Sequence, residues 1–300
     1  MKMDRLLVQM TAVILVIGSS SLFSSCSDNN TIDYTSSDNA NVQSEANSDA
    51  QTAEIDDLSA VAVSSDAATL LGRESWGGRT ITISDDRFKC ATVTLVTAND
   101  NSIIKPHGTI TIDFGTACTG PGGMTRTGKI IVTYTGRRFL PGSSIVTATQ
   151  NFAVNGIKVE GTRTLTNTST SADAPVSFSI VEDGVKITWT DGTFAIRSST
   201  MAKAWNRTQN PLEDSWTIKG SAIGTNRKGK EYTMTTTKEL VYKRSCAISN
   251  KVFMAVSGIK ELITDKKKVS VDYGNGDCDN KVTITINGKS KEIEATSDGN

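Results

Sequence analysis

The sequence is poor in the residues from which many active sites are built. Its 300 residues include one histidine, His107, and five cysteines, and only 6% of the residues are aromatic. A single histidine excludes a metal site built from two histidines. Any Ser-His or Cys-His nucleophile would have to use His107, which lies between Pro106 and Gly108 in a turn-like context. Nothing in the sequence specifies an enzyme, and we assign no catalytic residue.

The first 25 residues have the organisation of a secretory signal peptide. Lys2 and Arg5 give a positive start, and an apolar stretch and small residues then lead to Cys26. The segment Leu22–Cys26 resembles a bacterial lipobox, although Phe23 stands where leucine is usual. The resemblance implies that the sulfur of Cys26 carries a diacylglycerol. The alternative is an ordinary signal peptide, residues 1–25, in which Cys26 has no role.

Residues 26–60 are predicted to form an acidic, disordered tether. Residues 27–60 contain eight acidic side chains and no lysine or arginine. A segment so poor in apolar residues buries too little surface to offset its conformational entropy. The Cys-Ser-Asp start also resembles the surface-export signal of Bacteroidota lipoproteins, which implies an outer-membrane location, with the cell surface favoured over the periplasmic face. The remaining body, 61–300, then carries a charge of about +7.

From residue 79 onward, apolar residues alternate with hydroxylated or charged ones. This period of two, as in Thr80–Ile83 and Val282–Ile286, is typical of strands with one buried face. Asn-Gly and Asp-Gly pairs, such as Asn155-Gly156 and Asp183-Gly184, supply the positive φ of tight hairpins. No amphipathic helix of useful length is expected after the signal. We predict that 61–300 form an all-β domain, a long antiparallel meander curled into an open barrel or two-layer sandwich.

An internal repeat spans about 88–136 and 246–288. Each copy has a cysteine, a strand, an Asp-aromatic-Gly triplet, a second cysteine and another strand. The cysteines are Cys90 and Cys118 in the first copy, and Cys246 and Cys278 in the second. Four cysteines allow three pairings, and equivalent positions favour one local disulfide in each copy, which an exported protein can form. Crossed pairing between the copies is the alternative.

Four segments around this repeat look like a family of uncharacterised Bacteroidota outer-membrane or surface lipoproteins. The segments are Ile112–Cys118, Gly128–Gly136, Asn155–Arg163 and Asp272–Asn280. The likeness covers most of residues 88–290. It implies an anchored, disulfide-bearing, β-rich protein and carries no known activity.

One loop is rich in oxygen ligands of the kind that calcium prefers. Asp272, Asn275, Asp277 and Asp279 lie within eight residues, together with two glycines. The first copy of the repeat lacks these acids. A plain turn is the alternative, and no other cofactor is indicated.

Basic residues are concentrated at the predicted turns, and the ligands that they could bind depend on which turns lie at the same end of the sheet. These residues are Arg137 and Arg138, then Arg227, Lys228 and Lys230, then Lys266, Lys267 and Lys268, and finally Lys289 and Lys291. On one end of the sheet they would form a positive rim suited to anionic glycan or lipopolysaccharide. Lysines at turns also prevent strands from pairing edge to edge, which is the alternative. Nucleic acid is not indicated, because aromatic residues are not interleaved with the basic ones.

These observations predict an envelope-anchored lipoprotein with a non-enzymatic binding or structural role. Carboxylates at Glu160, Glu182, Asp183 and Asp191 keep a glycan-acting hydrolase open as an alternative. A lipid or glycolipid carrier is another. Trp76, Trp189, Trp205 and Trp216 are candidates for a sugar-stacking platform, with core packing as the alternative for Trp189 and Trp216. A closed core favours the structural role, two facing carboxylates in a groove favour the hydrolase, and a deep apolar cavity favours the carrier.

Overall fold

In the computed structural model, a long antiparallel sheet follows one α-helix. The structure describes residues 35–65, 78–99, 101–102, 105–250, 252 and 254–294. Helix α1 is Ser36–Ser64. The strands are β1 (Arg79–Ile81), β2 (Thr92–Thr97), β3 (His107–Asp113), β4 (Cys118–Thr119), β5 (Thr125–Thr135), β6 (Ser144–Val154), β7 (Ile157–Asn167), β8 (Val176–Thr188), β9 (Phe194–Asn206), β10 (Ser215–Thr225), β11 (Glu231–Lys243), β12 (Ser257–Thr264), β13 (Lys267–Asn275), β14 (Lys281–Ile286) and β15 (Lys289–Glu294). The predicted all-β class is confirmed.

The strands form a meander in which each strand pairs with the next. The exception is β4, which pairs with β5 alone, so that β3 and β5 are neighbours. The path runs from β1 to β15 without closing, and every pairing is antiparallel. The connections therefore alternate between two edges of the sheet, by which we mean the two opposite ends of its strands. From β5 onward, one edge has the short turns 155–156, 189–193, 226–230, 265–266 and 287–288, and we call it the short-turn edge. The other has the connections 136–143, 168–175, 207–214, 244–256 and 276–280, and we call it the long-loop edge.

Most of the predicted hairpin turns are present, and one is not. Asn155-Gly156 and Asn287-Gly288 have positive φ at both residues and join neighbouring strands. The prediction for Asp183-Gly184 is wrong, because this pair lies inside β8, where the register with both neighbouring strands shifts. Such a bulge bends a strand and increases its twist. A long strand can thereby follow the curvature of the sheet.

The prediction of a disordered tether is wrong for residues 36–60, which belong to the 29-residue helix α1. Thr35 caps α1 in a capping box, since its hydroxyl accepts from Asp38 N and the Asp38 carboxylate accepts from Thr35 N at 2.7 Å. The C-terminal half of the helix buries apolar side chains such as Leu58 and Ala62, whereas its N-terminal half has no apolar stripe and buries polar ones such as Asn41 and Ser44. The segment is ordered because the sheet supplies ion-pair partners for its carboxylates and hydrogen bonds to polar side chains such as Asn41. The predicted signal peptide and residues 26–34 lie outside the described residues.

Apolar side chains on the inner face of the sheet form two main clusters. One surrounds the C-terminal half of α1, and its most buried members include Leu58, Ala62, Ile110, Ile112, Ile130, Val132, Phe152 and Ile187. The other lies under β8–β14 and includes Ile180, Tyr232, Met234, Leu262, Val271 and Ile284. Full burial of each large side chain contributes about 1.5–3 kcal/mol to folding.

Each copy of the repeat contains one disulfide and one turn of the same kind. Cys90 is bonded to Cys118, and Cys246 to Cys278, which is the predicted local pairing. In both copies the aspartate of the Asp-aromatic-Gly triplet accepts a hydrogen bond from the glycine N–H at 2.9 Å. Both glycines have positive φ, where a side chain would be strained. The repeated triplet is therefore an Asx turn at the end of a strand.

Candidate functional site

The acidic side chains of α1 face basic side chains of the sheet. All six acidic residues of the helix form ion pairs: Asp38 with Lys267, Glu45 and Asp49 each with both Arg197 and Lys260, Glu54 with Arg126, Asp56 with Arg163, and Asp57 with Arg87. The negative charge of this segment and the positive charge of the body therefore neutralise each other inside the molecule. We call this set of contacts the ionic interface.

Arg197 is the centre of the ionic interface. It lies on β9, and its guanidinium nitrogens are 3.0 Å from Glu45 Oε1, 2.7 Å from Asp49 Oδ1 and 2.7 Å from Glu182 Oε2. The side chains of Arg197, Glu45 and Glu182 are almost completely buried. Lys260, on β12, contacts Asp49 and lies 3.4 Å from Glu45. A buried arginine can satisfy several carboxylates at once because its guanidinium presents five donors.

Further polar groups complete the coordination of these carboxylates. Glu182 also contacts Arg163 and accepts the Ser199 hydroxyl at 2.6 Å. Arg163 donates two hydrogen bonds to the Asp56 carboxylate, of 2.6 and 2.7 Å. The Tyr232 hydroxyl donates to Glu45 at 3.0 Å. Each of these carboxylates therefore has at least two hydrogen-bond donors, whereas Arg197 Nε makes no hydrogen bond within the described residues.

Electrostatics keep the ionic interface charged. Burial alone would raise the pKa of Asp49, but the charges of Lys260 and Arg197 outweigh burial and lower the pKa to about 2. Burial alone would lower the pKa of Lys260, but the neighbouring carboxylate of Asp49 raises the pKa of Lys260 well above its ordinary value. Groups held so firmly in one protonation state are poor general acids or bases near neutral pH.

The four carboxylates considered for glycan hydrolysis are not brought together as a facing pair. Glu182 is buried in the ionic interface, and Glu160 pairs with Lys158 at 2.8 Å. Asp183 lies in the bulge of β8, and Asp191 lies in the β8–β9 turn, where it pairs with Arg227 at 2.7 Å. None of them faces another across an open groove in the described part of the chain.

The calcium candidate has the geometry of turns. Asp272 accepts from Gly274 N, and Asp279 accepts from Lys281 N at 3.2 Å. The ammonium of Lys243 lies 2.7 Å from the Gly276 carbonyl oxygen, so a positive charge already lies at this loop. Within the described residues, no group of three or more acidic, histidine or cysteine side chains could hold a metal. Asn275 and Asp277 are exposed on the same loop.

The single histidine begins β3 and takes part in a loop. The backbone N–H of His107 donates to Asn101 at 2.8 Å, and its Nδ1 lies 3.0 Å from the Lys105 carbonyl oxygen. Cys26 and Trp76 lie outside the described residues. Trp189 is buried beside the Arg227 guanidinium, which lies 4.3 Å from the centre of its ring.

Three of the four basic groups named from sequence share the short-turn edge. They are Arg227 to Lys230, Lys266 to Lys268, and Lys289 with Lys291, whereas Arg137 and Arg138 lie at the long-loop edge. Several members are paired: Arg227 with Asp191, Lys230 with Asp265 at 3.4 Å, Lys267 with Asp38, and Lys268 with Glu261 at 2.6 Å. The rim is thus positive but partly neutralised.

The inner face near the long-loop edge carries a cluster of aromatic and basic side chains, only part of which the sequence indicated. Strand register places Phe178 beside Lys203, and Trp205 beside Trp216. Since Lys203 and Trp205 are two residues apart on β9, their side chains point to the same face. The loop residue Arg138 completes the group. We call Arg138, Phe178, Lys203, Trp205 and Trp216 the basic-aromatic cluster.

Cation–π contacts hold the basic-aromatic cluster together. The Arg138 guanidinium lies 5.9 Å from the centre of the Phe178 ring, and Lys203 Nζ lies 5.1 Å from that of Trp216. Ser143 and Asn167 each donate to the Arg138 carbonyl oxygen at 3.0 Å, which fixes the loop. Among the described residues, no carboxylate lies within ion-pair distance of either cation.

The two cations of the cluster are destabilised by their surroundings. Burial lowers the pKa of Lys203 to about 8; Asp56 opposes this shift, and the positive charge of Arg138 adds to it. Burial also lowers the pKa of Arg138, against the opposing charges of Asp56 and Asp57. Those two aspartates already bind Arg163 and Arg87. The cluster therefore keeps positive charge that no nearby carboxylate neutralises directly.

Sequence reasoning named Arg138, Trp205 and Trp216 for other reasons and missed Lys203. The available signal was the period of two along β9, where Lys203 falls on the inward positions between Met201 and Trp205. A lysine at an inward position is unusual unless it is paired.

The interior is otherwise closely filled. The best-defined cavity of the described residues is about 10 Å³ and is lined by Thr52, Ile55 and Arg163 among others. This volume is about that of one water molecule. None of the helices in the described ranges is both long enough and apolar enough to cross a membrane.

These features define an all-β protein whose sheet holds a charged helix against its inner face. No protein-family model, curated protein or solved structure matches the chain. Function must therefore be argued from the side chains themselves.

Proposed function

We propose that this protein is an outer-membrane lipoprotein, anchored through Cys26, that binds an acidic glycan without altering it chemically. The observation that carries the binding role is the basic-aromatic cluster, in which Arg138 and Lys203 lack carboxylate partners among the described residues. The anchoring role rests on the lipobox-like segment that ends at Cys26.

The chemistry of the cluster suits an anionic sugar. A buried cation is costly unless an anion pairs with it, so a ligand carboxylate, sulfate or phosphate would gain affinity here. Arg138 Nε makes no hydrogen bond within the described residues, and a guanidinium can bind an oxyanion with two parallel bonds. Trp205 and Trp216 are half-buried. Their rings already contact Phe139 and Tyr242, at 5.4 and 5.8 Å between ring centres, so only their remaining exposed surface can meet the apolar face of a sugar ring.

The state of the carboxylates supports binding rather than hydrolysis. A glycosidase needs one carboxyl group that is protonated near neutral pH and a second that faces it. The acids of α1 are all paired with cations, and the pKa of Asp49 is lowered to about 2. The closely filled interior likewise offers little support for a lipid carrier.

The test is a glycan array probed with the full chain in its lipidated form, followed by calorimetric titration. We expect acidic oligosaccharides to bind and neutral ones of the same length not to bind. Lys203→Met should weaken binding by about tenfold or more, since a charge-assisted hydrogen bond contributes about 1.5–3 kcal/mol. The matched control is Lys219→Met, because Lys219 is exposed on β10 and paired with Glu239.

Two results would contradict the proposal. One is an array without preference for acidic glycans, and the other is equal weakening by Lys203→Met and Lys219→Met. We expect Lys203→Met to fold, because methionine removes a half-buried charge and keeps an unbranched side chain of similar length. Far-ultraviolet circular dichroism of both variants checks this directly.

A further inference from the structure

The outer face of the sheet carries exposed apolar side chains close to the short-turn edge. Ile223 is 64% exposed, and Phe194, Ile196 and Ile263 are between 37% and 45% exposed. Ile223 and Ile263 both lie beside Thr233 in the strand register, so they belong to one row. We call these four residues the outer patch. Thr233 lies between the two isoleucines, and exposed apolar side chains grouped in this way on one face suit an interaction surface.

The surroundings of the outer patch are positively charged. The turns of this edge, taken over 189–193, 226–231, 265–268 and 287–291, contain eight basic and three acidic residues. Lys186 Nζ lies 4.5 Å from the centre of the Phe194 ring, and Lys268 is beside Ile263 in the register. Lys228 and Lys266 are exposed at the tips of two turns. Apolar side chains flanked by basic ones suit a surface of anionic lipid headgroups.

The N-terminus of α1 lies at the same edge. Asp38 pairs with Lys267 at 2.6 Å, and the Asn41 side chain exchanges hydrogen bonds with Thr264 and Asn226. The helix starts after Thr35, which is nine residues from Cys26. Nine extended residues span about 30 Å at most. A lipid on Cys26 would therefore keep the short-turn edge within about 30 Å of the bilayer.

We propose that the outer patch and the basic turns of the short-turn edge lie on the membrane that holds Cys26, in contact with its anionic headgroups. This inference rests on the proposed lipid anchor. It also places the basic-aromatic cluster on the side away from the bilayer, because that cluster lies at the opposite ends of β8–β10. A strand of 13 residues such as β9 spans about 43 Å.

The experiment compares two labelled positions in the lipidated full chain bound to vesicles. A fluorescent label is attached to Ile223→Cys in the outer patch, or to Leu212→Cys as the matched control. Leu212 is also an exposed apolar residue, at 49%, but lies in the connection 207–214 at the long-loop edge. The vesicles contain phosphatidylcholine, a minority of phosphatidylglycerol and a headgroup-bound quencher. We expect the label at position 223 to be quenched several-fold more strongly than the label at position 212.

A charge-reversal pair tests the electrostatic part. Lys228→Glu with Lys266→Glu should reduce the difference in quenching between the two labels. Lys105→Glu with Lys238→Glu, two exposed lysines outside the basic turns, should leave the difference unchanged. Raising the salt concentration should act like the first pair, because salt screens exposed charges.

The outcomes separate this inference from the anchor on which it rests. A mass spectrum without a diacylglyceryl group on Cys26 overturns the anchor and this orientation together. An acylated chain that sediments with vesicles but shows equal quenching at the two positions overturns the orientation alone. Stronger quenching at position 212 also overturns it.

Discussion

Replacing Arg197 by methionine tests whether the ionic interface holds α1 against the sheet. Methionine keeps much of the aliphatic volume and removes the charge. The loss leaves three carboxylates, those of Glu45, Asp49 and Glu182, without their shared cation. Lys260 still contacts the first two of these, and other groups still contact Glu182.

The expected cost follows from the burial of the groups. Removing one partner of a buried ion pair costs about 3–5 kcal/mol, because a charge is left buried and unpaired. An exposed pair such as Lys219 with Glu239 contributes about 0–1 kcal/mol. We therefore expect Arg197→Met to lower the free energy of unfolding by about 3–5 kcal/mol and Lys219→Met by less than about 1 kcal/mol.

Urea unfolding of the full chain, followed by circular dichroism and by tryptophan fluorescence, measures both changes. A shift of the midpoint with an unchanged slope reports a change in stability alone. Adding Glu182→Gln to Arg197→Met should recover part of the loss, since it removes a buried carboxylate charge that Arg197 no longer balances. If Arg197→Met does not fold, Arg197→Lys is the second variant, and it should lose less because it keeps a charge.

The reasoning is refuted if Arg197→Met costs no more than Lys219→Met. It is also refuted if Glu182→Gln makes Arg197→Met less stable instead of more stable. Either result would mean that α1 is held by its apolar contacts and that its carboxylates remain solvated.

The remaining predictions concern pH and the disulfides. Because the pKa of Asp49 is about 2 in the fold against 3.8 unfolded, its stabilising effect is complete above pH 4 and is lost as the pH falls toward 2; thermal melts should show this loss, and Asp49→Asn should reduce it. The pKa of Lys203 is about 8 in the fold against 10.5 unfolded, so the free energy of unfolding should rise between pH 8 and 10.5, by at most about 3 kcal/mol. Lys203→Met should lack this rise, and its difference in free energy of unfolding from the wild type should disappear at pH 10.5. Replacing both Cys90 and Cys118 by serine should lower the free energy of unfolding by about 3–4 kcal/mol, measured in urea without reductant.

The strands could be predicted because their signals are local. The alternation in Val282–Ile286 fixes which side chains are buried, and Asn287-Gly288 ends the strand with the positive φ of a tight turn. The same logic failed at Asp183-Gly184. Gly184 has the positive φ that a tight turn would use, but here it lies in a bulge, and only the register with the neighbouring strands distinguishes the two.

Helix α1 could not be predicted from its own residues, because its partners are distant. Glu54 pairs with Arg126, 72 positions later, and Asp38 pairs with Lys267, 229 positions later. The one signal in the sequence was the contrast between an acidic segment without any lysine or arginine and a basic body. Opposite charge on two parts of a chain is compatible with a tether as well as with docking, so composition alone did not decide between them.

The basic-aromatic cluster was missed for a related reason. Its members come from β8, β9, β10 and a loop, and strand register rather than sequence spacing brings them together. Lys203 stands out only after the inward face of β9 is known. From then on it is conspicuous, because the other inward charge on that strand, Arg197, pairs with three carboxylates.

The polarity of α1 also suits a segment that directly follows a lipid anchor. An amphipathic helix with an apolar face would partition into the bilayer once Cys26 is acylated, and it would then compete with its own sheet. The N-terminal half of α1 has no such face, the apolar residues Ile55, Leu58 and Ala62 of its C-terminal half are buried against the sheet, and anionic headgroups repel its carboxylates. The basic inner face of the sheet supplies partners from β5 to β13, and the N-terminal half of the helix uses Lys260 of β12 and Lys267 of β13. Full pairing of this half therefore requires β12 and β13, and ion pairing favours docking of the segment on the sheet over contact with the membrane.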